Sequence, residues 1–167
     1  MCGIAGIINS QPQKQGEEKH FELKQSLQKM AAALQHRGPD GEKIWISSNG
    51  MAGLCHRRLA IIDLSDAAAQ PMHITPAEFE NDEDAPHLSI VYNGEIYNYI
   101  ELREELQQKG YSFRTSSDTE VILAAYDHYG DECVEHFDGM FAFAIWNEEL
   151  QELFAARDRF GEKPFFY

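Results

Sequence analysis

The sequence predicts an α+β domain in which antiparallel sheets are covered by helices. Three observations carry that expectation: short apolar runs bounded by turn residues, segments with helical spacing, and their order along the chain. That order is strand, helix, hairpin, helix pair, hairpin. The 167 residues, 43% hydrophobic and 11% aromatic, suffice for one globular domain with a real core. No repeat, low-complexity tract or linker divides residues 1–167.

The apolar run Gly3–Ile8, bounded by Asn9, Ser10 and Pro12, predicts a buried strand. Gln11 to Glu18 is polar and reads as a loop. Leu23, Leu27, Met30, Ala31 and Leu34 share one helical face, and that helix ends before Arg37-Gly38-Pro39. Ile44–Ile46, Asn49-Gly50 and Met51–Cys55 read as a hairpin, because Asn-Gly supplies the positive φ angles of a tight turn. The strand run resumes in Leu59-Ala60-Ile61-Ile62. Residues 76–87 form an acidic excursion that reads as a solvated loop. Leu88–Tyr92 is strand-like, with Asn93-Gly94 ending it. A helix through Leu102 and Leu106 stops at Gly110, and Ser117-Asp118-Thr119-Glu120 has capping-box form at the start of the next. Gly139–Trp146 reads as a strand buried on both faces, and Leu153–Ala156 pairs back on it.

Charge and composition exclude several functions. Net charge is −14 with no Lys/Arg cluster, which disfavours nucleic acid and anionic membranes as partners. No apolar run approaches the roughly 18 residues of a membrane span. Three widely spaced cysteines suit reduced thiols and a cytoplasmic location. The seven histidines form no metal-ligand spacing, so no metal is expected.

Cys2 is the principal candidate for chemistry. Removal of Met1 would leave a thiol and a free α-amino group on one carbon. An α-amino group titrates near ~7.7–8.0 and a thiol near ~8.5, so the amine can serve as base for the sulfur. One residue then supplies nucleophile and base. Taken alone, Cys2 reads rather as a small buried hydrophobe. Arg58 can clamp a carboxylate, or belong with Arg57 to an ordinary surface pair. Asn93 and Gly94 offer a side-chain amide and a backbone N–H for an oxyanion, or form a plain turn. Glu95 and Asp118 can meet an ammonium group, or be a solvated side chain and a helix-start residue. Cys55 and Cys133 read as core. Together the candidates supply what is needed to attack the side-chain amide of an α-amino acid.

At these residues the chain resembles class II glutamine amidotransferase domains, which are N-terminal-nucleophile hydrolases, and most of all the glutaminase domain of glutamine-hydrolysing asparagine synthetases. The matching segments are Met1–Gly6, His36–Gly41, Arg58–Asp63, Gln70–Met72, Asn93–Asn98, Ser117–Ile122, Gly139–Ala144 and Arg157–Pro164. The resemblance implies a four-layer αββα sandwich that hydrolyses L-glutamine to glutamate and ammonia through a γ-glutamyl thioester on Cys2. It implies Asn93 and Gly94 as oxyanion donors and Arg58 as the α-carboxylate clamp, with no role for Arg57. Backbone groups of Leu59, Ala60, Ile61 and Ile62, with Glu95 and Asp118, would hold the α-ammonium end. No cofactor is expected in this domain. ATP and magnesium are expected only for a synthetase domain that makes asparagine from aspartate, which the sequence lacks, together with the last strands of the glutaminase fold. A homodimer is a further option. Two alternatives stay open: a non-catalytic glutamine-binding module of the same fold, and the glutaminase of another amidotransferase branch.

Overall fold

The alternation of β3 (Ala52–Arg58) organises the molecule, because its two faces meet different layers. Gly53 and Cys55 face helix α1 (Glu17–Ala33), joining Leu23, Leu27 and Ala31 in one apolar cluster. Ala52 and Leu54 face the other way and pack against Val91, Ala144 and Trp146 of a second sheet. A computed structural model describes residues 2–10, 17–60, 62–74 and 87–167, with the backbone alone for residues 17–19.

β1 (Gly3–Ile8) and β2 (Gly41–Ile46) flank β3, giving an antiparallel sheet of order β1-β3-β2. The second sheet, also antiparallel, runs β4 (Met72–Ile74), β5 (Leu88–Ile96), β6 (Gly139–Asn147) and β7 (Glu152–Arg157). Its far face carries α2 (Tyr99–Gln108) and α3 (Asp118–Tyr129), which bury Leu102, Leu106, Val121 and Ile122 against Ile90, Phe143 and Ile145. The layers are therefore α1, sheet, sheet, α2/α3, and the αββα expectation holds. No helix among the described residues is long and apolar enough to cross a membrane.

Most expected elements form, and the differences have local causes. α1 begins at Glu17, so the polar stretch gives its last two residues to the helix; residues 11–16 lie outside the described residues. β1 is an edge strand rather than a buried one, and Ile8 is 42% exposed. In the β2–β3 connection only Gly50 takes a positive φ, of 68°; Asn49 instead uses its side chain, whose Oδ1 accepts from Met51 N at 3.0 Å. Gly110, at φ 101°, ends α2 as expected. Ser117 caps α3 by accepting from Thr119 N at 3.1 Å, but Glu120 does not reach back to Ser117. Its carboxylate accepts from the N–H groups of Arg114 and Thr115, at 2.9 and 2.8 Å.

Two corrections bear on the site. Asn93-Gly94 does not end a strand. β5 runs through it to Ile96, with Asn93 opposite Ala142 and Gly94 opposite Phe141 on β6. Glycine is needed there for close approach: a Cβ on Gly94 would lie 2.7 Å from Phe141 Cα. Nor does a strand continue through Leu59–Ile62. β3 stops at Arg58, because the backbone of Leu59 and Ala60 is engaged by side chains of the site. Ile61, and the acidic stretch except His87, lie outside the described residues.

Candidate functional site

The pleats of three strands converge at one end of the space between the sheets. On β3, Leu54, His56 and Arg58 point toward the second sheet, while Arg57 points back and donates from Nε to Ala31 O at 2.9 Å and pairs with Glu42. Residue parity thus separates the two arginines. On β5, Val91, Asn93 and Glu95 face the first sheet, and Tyr92 turns to the helix layer, where its hydroxyl donates to Asp118 Oδ2 at 2.8 Å.

A cavity of about 110 Å³ opens there. Cys2, Arg58, Leu59, Ala60, Ile62, Asn93, Gly94, Glu95 and Asp118 all line it, so every described residue singled out from the sequence is brought together. Cys2 is held from two sides: Leu59 N donates to its sulfur at 3.4 Å, and Arg37 Nε donates to its carbonyl at 3.1 Å. Asn93 is 5% exposed and Asp118 4%, so both are shielded from bulk water. Burial raises the Asp118 carboxyl above the ordinary aspartate range, against the hydrogen bonds from Tyr92 and Ile96 N. The cavity wall carries Arg58 and Lys163 together with the carboxylic acids Asp63, Glu95 and Asp118, so groups of both signs are present for a zwitterion.

The His36–Gly41 segment, one of those that carry the resemblance, braces this site. Arg37 holds Cys2, and Asp40 Oδ2 accepts from Ala60 N at 2.9 Å. Asp40 N in turn donates to Arg58 O at 2.9 Å. Gly38 lies so close to β3 that a Cβ on it would sit 2.6 Å from Arg58 N. Gln70 supports the opposite wall: its Oε1 accepts from Tyr92 N at 2.6 Å and its Nε2 donates to Thr119 Oγ1 at 3.2 Å.

Further lining residues carry functional groups that sequence reasoning did not assign to the site, among them His56, Asp63, Gln70, Thr119 and Lys163. For His56 a signal existed, since it stands two residues before Arg58 on one strand and shares its face. Lys163 is delivered by a loop folded on Asp158, whose carboxylate accepts from the N–H groups of Phe160, Glu162 and Lys163. The other two cysteines are core, as expected: both are fully buried, and burial pushes the Cys55 thiol up to about 11 and the Cys133 thiol to about 12.

Known proteins resemble this chain in sequence and in fold. The family described as "Glutamine amidotransferase domain" matches residues 1–167. The chain is 42% identical over 167 residues to "Asparagine synthetase [glutamine-hydrolyzing] 3" of Bacillus subtilis, covering 100% of this chain and 25% of that protein. It is 45% identical over 174 residues to a "Putative asparagine synthetase [glutamine-hydrolyzing] 2" of Methanocaldococcus jannaschii, covering 100% of this chain and 32% of that protein. "Amidase chry2" of Gibberella zeae is 36% identical over 170 residues, covering 100% of this chain and 24% of that protein. The chain thus spans about a quarter to a third of these relatives. Among solved structures, glutamine phosphoribosylpyrophosphate amidotransferase from B. subtilis superposes with a TM-score of 0.62 at 23% identity, over 76% of this chain and 33% of that one, and shares the fold.

Proposed function

Because the chain belongs to the glutamine amidotransferase domain family, we propose that it hydrolyses L-glutamine to L-glutamate and ammonia through a γ-glutamyl thioester on Cys2. The observation that carries this reading is the convergence of Cys2, Arg58, Asn93, Gly94, Glu95 and Asp118 on one cavity. With Met1 removed, the α-amino group of Cys2 takes the thiol proton and the sulfur attacks the γ-carbonyl carbon. The oxygen gathers negative charge facing the Asn93 amide and the Gly94 N–H, donors fixed by the β5–β6 ladder before substrate arrives. Arg58 holds the α-carboxylate, and Glu95 and Asp118, with backbone groups of Leu59, Ala60 and Ile62, hold the α-ammonium. Collapse of the adduct releases ammonia and leaves the thioester, which water then cleaves.

The ammonia passes to a synthetase domain that uses ATP and magnesium to make asparagine from aspartate. The names of the relatives from B. subtilis and M. jannaschii support that finer reading. A second reading, a different acceptor behind the same glutaminase, is favoured by the identity with "Amidase chry2".

Intact mass and glutamate release test the glutaminase directly. Protein lacking Met1 should release glutamate from glutamine, and Cys2→Ala should not. A correctly processed protein that binds glutamine without turnover, and whose Cys2 ignores a glutamine-like diazo ketone, would be a binding module instead.

A further inference from the structure

His56 is 2% exposed, lines the cavity beside Cys2, and its Nε2 is the one buried side-chain polar atom among the described residues that lacks a hydrogen-bond partner. The Tyr92 backbone is the ring's hydrogen-bonding partner, and with Nε2 unpartnered that bond is assigned to Nδ1, which places the proton on Nδ1 and a lone pair on Nε2. A buried acceptor without a donor is unfavourable and calls for a ligand that supplies one. Substrate would be such a ligand.

The strand register shows where that lone pair stands. Gly3 pairs with Arg57 and Ile4 with His56, so Cys2, one residue ahead of the ladder, stands at its Arg58 end, and His56 lies two pairs further in on the same face of β3 as Arg58. In the proposed pose the carboxamide oxygen faces Asn93 and Gly94, and the α-carboxylate faces Arg58. The carboxamide nitrogen carries two N–H donors, and Glu95 and Asp118 are committed to the ammonium at the other end of the molecule. We infer that His56 is the acceptor for the nitrogen end of the scissile amide, its Nε2 taking a hydrogen bond from the amide N–H and then from the departing ammonia. The inference rests on the glutaminase reading.

His56 does not act as a base in this scheme. Burial lowers its pKa to about 4, so at neutral pH the ring is uncharged and weakly basic. The sulfur–carbon bond forms, the carbon–nitrogen bond breaks, and the nitrogen takes its third proton from the Cys2 α-ammonium. His56 gains no proton at any point. It recognises a nitrogen leaving group, which distinguishes an amide from an ester.

The test compares L-glutamine with the γ-methyl ester of L-glutamate, whose leaving group carries no N–H. His56→Gln places an amide oxygen near the Nε2 position, and His56→Asn places an amide N–H near the Nδ1 position. His56→Asn should lose roughly ten- to hundredfold in kcat/KM for glutamine, the equivalent of one buried hydrogen bond, while ester hydrolysis falls at most about threefold. His56→Gln should recover most of the glutamine activity. Equal loss on both substrates, recovery by Asn rather than Gln, or no loss in either variant would overturn the inference while leaving the glutaminase intact. Failure of the parent protein on both substrates, with no diazo ketone labelling of Cys2, would overturn the glutaminase reading and this inference with it.

Discussion

Gly38→Ala is expected to damage both stability and activity, although residue 38 lies outside the cavity wall. The added Cβ would sit 2.6 Å from Arg58 N and closer still to the Arg57 carbonyl group, where ordinary contact begins at 3.4 Å. All of these are strand backbone atoms that cannot swing away, and the tightest contact, with the Arg57 carbonyl group, obliges the 36–41 segment to retreat by about 1 Å. The Arg37 bond to Cys2 O, now 3.1 Å, and the Asp40 bond to Ala60 N, now 2.9 Å, would both pass beyond hydrogen-bonding reach. Two lost hydrogen bonds and the overpacking together cost about 2–4 kcal/mol, which lowers the urea midpoint by roughly 1–2 M. Misplacing Cys2 by a comparable distance should cost roughly a hundredfold in glutamate release. Gly41→Ala is the control within the same segment, because its Cβ would meet Arg58 Cβ at an ordinary 3.7 Å. A Gly38→Ala protein with the parent's urea midpoint and activity within twofold would refute the bracing role of this segment.

Further outcomes follow from the same geometry. His56 is buried and His73 half-buried, and desolvation lowers both pKa values to about 4, so the unfolded chain binds protons that the folded one refuses. Their stabilisation is fully present above pH ~6.5 and is lost as pH falls toward 4, by about 3 kcal/mol per histidine; urea midpoints between pH 7 and 4 measure it, and His73→Gln should flatten the slope by about half. At pH 8, iodoacetamide should alkylate Cys2 alone in the native protein, since thiols at about 11 and about 12 are ionised to roughly one part in a thousand and in ten thousand; peptide mapping that finds Cys55 or Cys133 modified at a similar rate would contradict their core placement. Arg58→Lys should raise KM for glutamine by roughly ten- to hundredfold with a smaller effect on kcat, because an ammonium cannot make the paired contact with a carboxylate. Phe143→Ala, at a fully buried position on β6, should destabilise by about 3–5 kcal/mol in urea titrations.

What the sequence revealed about this fold divides along a physical line. Elements specified by their own periodicity were legible: α1 from Leu23, Leu27 and Ala31, α3 from its Ser117 cap, β6 from alternation on two buried faces. Elements decided by distant partners were not. Asn93-Gly94 carries a strong hairpin signal, yet its glycine serves the approach of β6, a constraint written more than forty residues away in Met140 and Phe141. The apolar run Leu59–Ile62 looks like strand until Cys2 and Asp40 take its backbone N–H groups. Site residues were legible where their chemistry is unusual, as for a second-position cysteine. Gln70 and Lys163 lie in matching segments, but they reach the cavity through long-range folding, and nothing local marks a role there for either one.

The pleat explains why so many separate segments converge. Arg57 and Arg58 differ by one position and therefore by a whole layer, one bonded to α1 and the other lining the cavity. Tyr92 and Asn93 divide the same way, one joined to Asp118 behind the sheet and the other facing the first sheet. A one-residue slip of β3 or β5 would exchange these pairs and empty the site while preserving the composition of both strands. Register is held by the inter-sheet core immediately behind the cavity, where Leu54, Val91 and Ala144 interlock. The spacing between nucleophile, carboxylate clamp and oxyanion donors is therefore set by how the two sheets pack, so a volume change at those core positions should alter turnover before it unfolds the protein. Val91→Ala is the milder such change: it should lower kcat for glutamine several-fold at a cost of about 1–3 kcal/mol in stability. If kcat is unchanged while stability falls, the catalytic spacing is held by the 36–41 brace alone.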